Sequence, residues 1–351
     1  MAYIYKQTAS FLQAHTIHFE PTASDRLNML NNPSRSPDVS AIERVAGRAL
    51  QSRSVDVEKL SGYLYRTYRL TTSRGFFYIL RAQPSCHYKL LRHEENRIST
   101  EAGALQILSG RSDLSNARVI EHATTKAQIG SYYLISGPYT GSILADIEPS
   151  LSAQALYSID KSLGMYVRRL SAVPGTTFGP IRQSPRQPGH STWSRAFAAL
   201  LETVLRDGED ALINLPYDGM RALARRHRSS LDKITQPRLF LIEMSADENV
   251  VVDTKTNGVT GILDFSTAFW GDPYMSDCFY QAKRSFADGF GRLPNGDVDE
   301  CIRQYLYVMY HALLQVVIQC YRPSAGDKEV EMKARRDLTT SIRHLTSVSS
   351  R

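Results

Sequence analysis

Residues 259–277 read VTGILDFSTAFWGDPYMSD. The apolar strand Gly261-Ile262-Leu263 delivers Asp264, and Gly271-Asp272-Pro273 begins seven residues later. A carboxylate at the end of a buried strand is costly unless it is paired or holds a metal. Just upstream, Asn249 opens the run Val250-Val251-Val252, and a turn near Thr256-Asn257-Gly258 returns that strand beside the one carrying Asp264. An amide oxygen and a carboxylate on adjacent strand ends can share one Mg²⁺, which takes few, hard oxygen ligands from protein. A turn aspartate and a turn asparagine are the plainer alternatives.

A second group lies nearer the N-terminus. Ser61-Gly62 falls in a turn or at the start of a strand, ahead of a hairpin partner that bears Arg81. A cation on a strand beneath a flexible hairpin can hold nucleotide phosphates. Glu101, on the charged helix that follows, can orient that cation as an ion pair.

These residues need elements to position them. The alternation of LSGYLYRTYRLTT predicts a strand over 60–72, SRG (73–75) a turn and FFYILRA (76–82) a second strand. The segment 41–50 reads as a helix with Ser40 as N-cap and Glu43 at the capping-box position. Helical spacing continues through 93–110, with Ala104, Ile107 and Leu108 as its apolar positions, and 117–125 and 129–137 read as strands. After Gly141 the chain turns helical over 155–173, 191–208 and 217–234; strands return at 238–242 and 249–265, and three helices are expected beyond 276. This segregated order predicts an α+β fold, not alternating βαβ units. The boundaries fall at an N-terminal extension (1–40), a β-rich part (41–137) and a mostly helical part (138–351).

Composition narrows the class. The chain has 351 residues, enough for two domains or one two-lobed domain, and 42% hydrophobic residues exclude a disordered chain. Cys86, Cys278, Cys301 and Cys320 are scattered, which argues against a zinc site or a disulfide framework and for idle thiols in a cytoplasmic protein. The N-terminus is not a secretory signal, and Tyr305–Cys320 is too short and too polar for a membrane span. A net charge of +7 comes from dispersed residues such as Arg225, Arg226 and Arg228, which look like solvated helix faces, so neither nucleic acid nor membrane is an expected partner. Oligomeric state is not legible.

In order and spacing these residues resemble the aminoglycoside phosphotransferase family, whose fold is the bilobal protein-kinase-like one. ILDFSTAFWGDP is similar to that family's metal-binding aspartate and Gly-Asp-Pro turn, and RLFLIEMSADENVVVD (238–253) to its catalytic loop. FFYILRA resembles the third strand, with Arg81 in place of lysine, TEAGALQIL the helix of the partnering Glu101, and ISGPYTGSIL (135–144) the hinge. FGP (178–180) and STWSRAF (191–197) resemble the hygromycin-type members. The resemblance implies transfer of a γ-phosphoryl group from ATP or GTP to a hydroxyl of a small molecule. Asn249 and Asp264 would carry Mg²⁺, and Arg81, held by Glu101 beneath the Gly62 turn, would touch the phosphates. The acceptor would lie near Trp193 and residues 276–320, where Asp277 and Glu300 could attract a cation.

Besides Arg81, the catalytic loop departs from the family: its histidine position is lost to Leu241 or Ile242. Met244 stands five residues before Asn249, where the family has its catalytic aspartate, and a thioether accepts no proton. Glu243 and Asp247 are the nearest carboxylates, and a one-residue bulge would bring Glu243 into the base position. Two functions therefore stay open: an active small-molecule kinase with Glu243 as base, and a pseudokinase that binds nucleotide or ligand without transfer.

Overall fold

The computed structural model describes residues 39–73, 75–84, 88–111, 113–114, 117–181, 188–244, 247–280, 282–294, 296–323 and 328–348. Nearly all of the N-terminal extension and Cys86 lie outside these residues.

Helix α1 (Val39–Ala49) precedes five antiparallel strands: β1 (Val55–Leu60), β2 (Arg66–Thr72), β3 (Phe77–Ala82), β4 (Arg118–Ala123) and β5 (Tyr133–Tyr139). They form one sheet in the order β1-β2-β3-β5-β4. Ile42, Val45 and Ala46 of α1 pack on Val55, Tyr68, Leu70 and Leu80, sealing the outer face of the sheet. Because α1 begins at Val39, Ser40 lies inside the helix and is not its cap. On the inner face sits α2 (Arg97–Leu108), through Ile98, Ala102, Leu105 and Leu108. Of the three positions read as its apolar side, Ala104 and Leu108 are buried but Ile107 is exposed.

The single strand expected over 60–72 is broken. Gly62 takes a φ of +90°, a left-handed conformation that glycine adopts without strain, and reverses the chain between β1 and β2. Tyr63 and Tyr65 therefore belong to this turn and not to a strand face. Strand β1 itself carries Asp56, Glu58 and Lys59, residue types poor in strands, which hid it from the periodicity.

The chain leaves the first sheet at Tyr139 and enters a second one at β6 (Ser142–Ile143). There β6 pairs with β9 (Val250–Asp253), and β9 with β10 (Gly258–Ile262) around Asn257, whose φ is +54°. A third sheet orders β7 (Gly179–Pro180), β11 (Ala268–Gly271) and β8 (Arg238–Leu241). The helical part holds α3 (Leu144–Ile147), α4 (Ala153–Leu170), α5 (Trp193–Asp210), α6 (Tyr217–Arg226), α7 (Arg228–Leu231), α8 (Arg284–Phe290), α9 (Val298–Tyr321) and α10 (Lys328–Ser347). The helix expected over 217–234 breaks at His227, which is buried and meets the Leu345 carbonyl at 2.8 Å. No helix among the described residues is long and apolar enough to cross a membrane.

Trp193 organises the helical core. It is fully buried among Phe178, Phe197, Phe240, Phe269 and Tyr307, with ring centroids 6.1–6.4 Å away. A Cβ at Gly271 would lie 2.2 Å from this indole, so only glycine fits there. Asp272 is buried, caps the following turn and accepts from the Tyr307 hydroxyl at 2.7 Å, with Arg303 at 3.3 Å. The Gly-Asp-Pro turn is thus explained by packing.

Candidate active site

The β9–β10 register places Asn249 and Asp264 at neighbouring strand ends, and the Leu263 N–H donates to the Asn249 carbonyl at 2.8 Å. The side-chain Oδ1 of Asn249 is buried with no hydrogen-bond partner among the described residues. Asp264 accepts from the Ser266 N–H at 2.7 Å through Oδ1 and from Arg81 at 3.1 Å through Oδ2. Burial opposes its charge, but Arg81 and Ser266 outweigh burial and hold its carboxyl below the usual range. Two hard oxygens, one of them unanswered by protein, suit a cation that takes its other ligands from phosphate and water. Among the described residues no three His, Cys, Asp or Glu side chains cluster for a metal, which is consistent with so sparse a protein contribution.

Arg81 sits behind this pair. Its Nε is 2.8 Å from Glu101, and its guanidinium also reaches Thr67 at 3.4 Å and the Leu263 carbonyl at 3.0 Å. Both members of the Arg81–Glu101 pair are buried. Burial pushes the Glu101 carboxyl up, to about 8, and Arg81, shared with Asp264, offsets this only in part. The expected pairing of these two residues is present. Arg81 donates here to Asp264, Thr67 and the Leu263 carbonyl.

Gly62 lies in the turn above these groups, with nothing within 4 Å of a Cβ placed there. Tyr63 closes the turn downward. Its ring is 5.3 Å from the Arg81 guanidinium, and its hydroxyl donates to the Glu248 carbonyl at 2.6 Å, next to Asn249. Sequence reasoning passed over Tyr63, although an aromatic beside the turn glycine was a usable signal.

Glu243 follows β8 and is one-third exposed. One Arg97 nitrogen lies 3.1 and 3.0 Å from its two oxygens, and His93 stands 4.0 Å away. Arg97 was also missed. It precedes Glu101 by one helical turn, so the i, i+4 spacing already put both on one face of α2. Met244 is buried in the apolar cluster, and its N–H donates to Asp277 at 2.7 Å. Glu300, proposed to attract a cation, is engaged by Arg292 and by the Gly296 N–H. Both carboxylates therefore serve the chain itself.

Comparison with known proteins adds the family. The profile of the phosphotransferase enzyme family, APH, matches residues 56–276. The structure of a protein described as a fructosamine-3-kinase from Thermobifida fusca superposes with a TM-score of 0.60 at 15% identity, covering 87% of this chain and 99% of that one. The GDP complex of aminoglycoside 2′-phosphotransferase-IIIa gives 0.53 at 15% identity, over 88% and 99%. The streptomycin–ATP complex of APH(2″)-IIa gives 0.51 at 13% identity, over 90% and 98%. At such identities these structures establish the fold alone, which is the bilobal protein-kinase-like one. No curated protein sequence matches the chain. Because the family profile spans well over half of the chain and includes Gly62, Arg81, Glu101, Glu243, Asn249 and Asp264, this chain belongs to the APH phosphotransferase enzyme family.

Proposed function

We propose that this protein moves the terminal phosphoryl group of ATP or GTP to a hydroxyl of a small molecule. The observation that carries the reading is the unpartnered, buried Oδ1 of Asn249 on the strand end beside Asp264. Both nucleotide classes occur in complexes of the neighbours, and the purine is left open. Asn249 and Asp264 would hold Mg²⁺, which when bound neutralises phosphate charge. Glu101 keeps Arg81 oriented toward Asp264, so the cation behind the metal site is fixed before substrate arrives. Gly62 and Tyr63 close the site from above and exclude water. Glu243 takes the acceptor proton, with Arg97 fixing its carboxylate.

A module that binds nucleotide without transfer gains no support from the family or from its nucleotide-bound neighbours. Met244 weakens only one term, since general-base assistance is worth about 10²–10⁴-fold and positioning supplies the rest. The narrower hygromycin-type likeness rests on residues 178–180 and 191–197. Phe178 and Trp193 there serve the aromatic core, so packing accounts for that similarity without a shared acceptor.

The test is a metabolite-panel assay with mass readout. Asp264→Asn, which keeps the side-chain shape, is expected to abolish Mg-dependent product, and Glu243→Gln to lower kcat by about 10²–10⁴-fold. An unchanged kcat in Glu243→Gln would remove Glu243 from the role of base.

A further inference from the structure

Beside Glu243 and along α9 lie polar atoms that have no hydrogen-bond partner among the described residues. These are both ring nitrogens of His93, the hydroxyls of Tyr280 and Tyr310, and Nε2 of Gln315, all buried. Buried polar groups are satisfied in more than about nine cases in ten, so such a concentration asks for a hydrogen-bonding occupant.

These groups converge. His93 is 4.0 Å from Glu243. The rings of Tyr280 and Tyr310 lie 4.7 and 5.1 Å from that of His311, whose Nε2 meets the Met275 carbonyl at 2.9 Å. His311 and Gln315 are one helical turn apart on α9, both half-buried, and so share one face. Glu243 acts electrostatically on both Tyr310 and His311. The imidazoles of this wall are neutral, because burial pushes His93 and His311 down, and Arg97 meets the charge of Glu243. Nearby acids are also spoken for. Glu94 is paired with Arg322 and Asp207 with Arg92. Asp277, which faces Tyr280, accepts from the Met244 N–H at 2.7 Å, so each of these described carboxylates already has a partner; amide, imidazole and phenol groups, by contrast, alternate donors and acceptors as hydroxyls do.

We infer that the acceptor is a neutral polyhydroxylated molecule, a free sugar or a cyclitol, held against Glu243 by His93, Tyr280, His311 and Gln315. The inference rests on the transfer reading above, because that reading puts the reacting hydroxyl at Glu243. In the step, the acceptor oxygen bonds to the γ-phosphorus and the bond to the β–γ bridging oxygen breaks. That electron pair leaves with the nucleoside diphosphate, and the hydroxyl proton passes to the Glu243 carboxylate.

The experiment uses the full chain with Mg²⁺ and ATP or GTP, against free hexoses and cyclitols on one side and aminoglycosides on the other. Product is expected on the neutral class alone. His311→Ala, Gln315→Ala and the milder Tyr280→Phe should each raise the acceptor KM about tenfold and leave the nucleotide KM unchanged. Product on aminoglycosides only, or an acceptor KM unmoved in all three variants, overturns the inference. If neither class gives product, calorimetry with the neutral panel and Mg·ADP decides. Saturable binding that His311→Ala abolishes upholds the acceptor class while refuting transfer, and no binding refutes the acceptor class too.

Discussion

Arg81 carries five N–H groups; three donate to Asp264, Thr67 and the Leu263 carbonyl, while Nε faces the Glu101 carboxyl at 2.8 Å. A lysine has three donors on a flexible stem and could not span the same partners. The arginine therefore acts first as a buried bolt between β3, α2 and the Asp264 strand end. Arg81→Met should cost about 3–5 kcal/mol, because Asp264 and Glu101 both lose the cation they share. Adding Glu101→Gln should recover most of that loss in urea denaturation, and a double variant as unstable as the single one would refute this account. His311 gives a second prediction, with the sign set by burial. Its folded-state pKa is lowered from 6.5 to about 4, so the unfolded chain binds the proton first. Its contribution is complete above pH 6.5 and falls as pH drops toward 4, by up to about 3 kcal/mol. His311→Gln should flatten this part of the stability profile; a profile as steep as that of the unmodified chain would show that other groups cause it.

At the scale of elements, the turn over 61–65 governs access to the site. The Tyr63 hydroxyl holds it to Glu248, and the Tyr65 hydroxyl holds it to the Glu94 carbonyl at 2.5 Å. On the transfer reading, phosphates pass beneath this turn, where the Tyr63 ring now covers Arg81. Tyr63→Ala should therefore speed nucleotide association several-fold in stopped-flow binding, by raising the fraction of open protein. An unchanged on-rate would mean that the turn is no gate. The turn glycine was legible from sequence, as was the β9–β10 hairpin, because Asn257-Gly258 between valine-rich runs specifies register locally. What stayed hidden depended on distant partners. Strand β1 survives its charges because Glu58 meets Arg69 across the sheet at 2.8 Å. Strand β11, four residues buried throughout between β7 and β8, has no alternation to read. Among the residues that meet in the candidate site, the sequence motifs and the family resemblance had already singled out Asp264, Asn249, Arg81 and Glu101. Arg97 and Tyr63 were not among them, since their partners Glu243 and Glu248 lie far along the chain.

At the scale of the whole molecule, the two lobes are stapled together at several points. The segment before α2 docks on the helical part through Arg92 with Asp207 at 2.5 Å and Asp210 at 2.8 Å, and through Glu94 with Arg322 at 2.6 and 2.9 Å. Arg69 reaches Asp146 of α3 at 3.0 Å, beyond the lobe crossing. One apolar cluster also runs from Ile79 and Leu134 in the first sheet to Val251, Leu263 and Phe265 in the second part. Such continuity predicts that the lobes melt as one unit, with calorimetric and van't Hoff enthalpies equal. The buried Glu94 makes its pair the stronger staple, because removing Arg322 leaves that carboxylate desolvated and uncompensated. Replacing Arg92 and Arg322 together with methionine should then split the transition, with the sheet-rich lobe melting first and the Trp193 core later. Indole fluorescence reports the second step, since Trp193 and Trp270 both lie in the helical part. Two transitions in the unmodified chain, or a single one in the double variant, would refute this coupling.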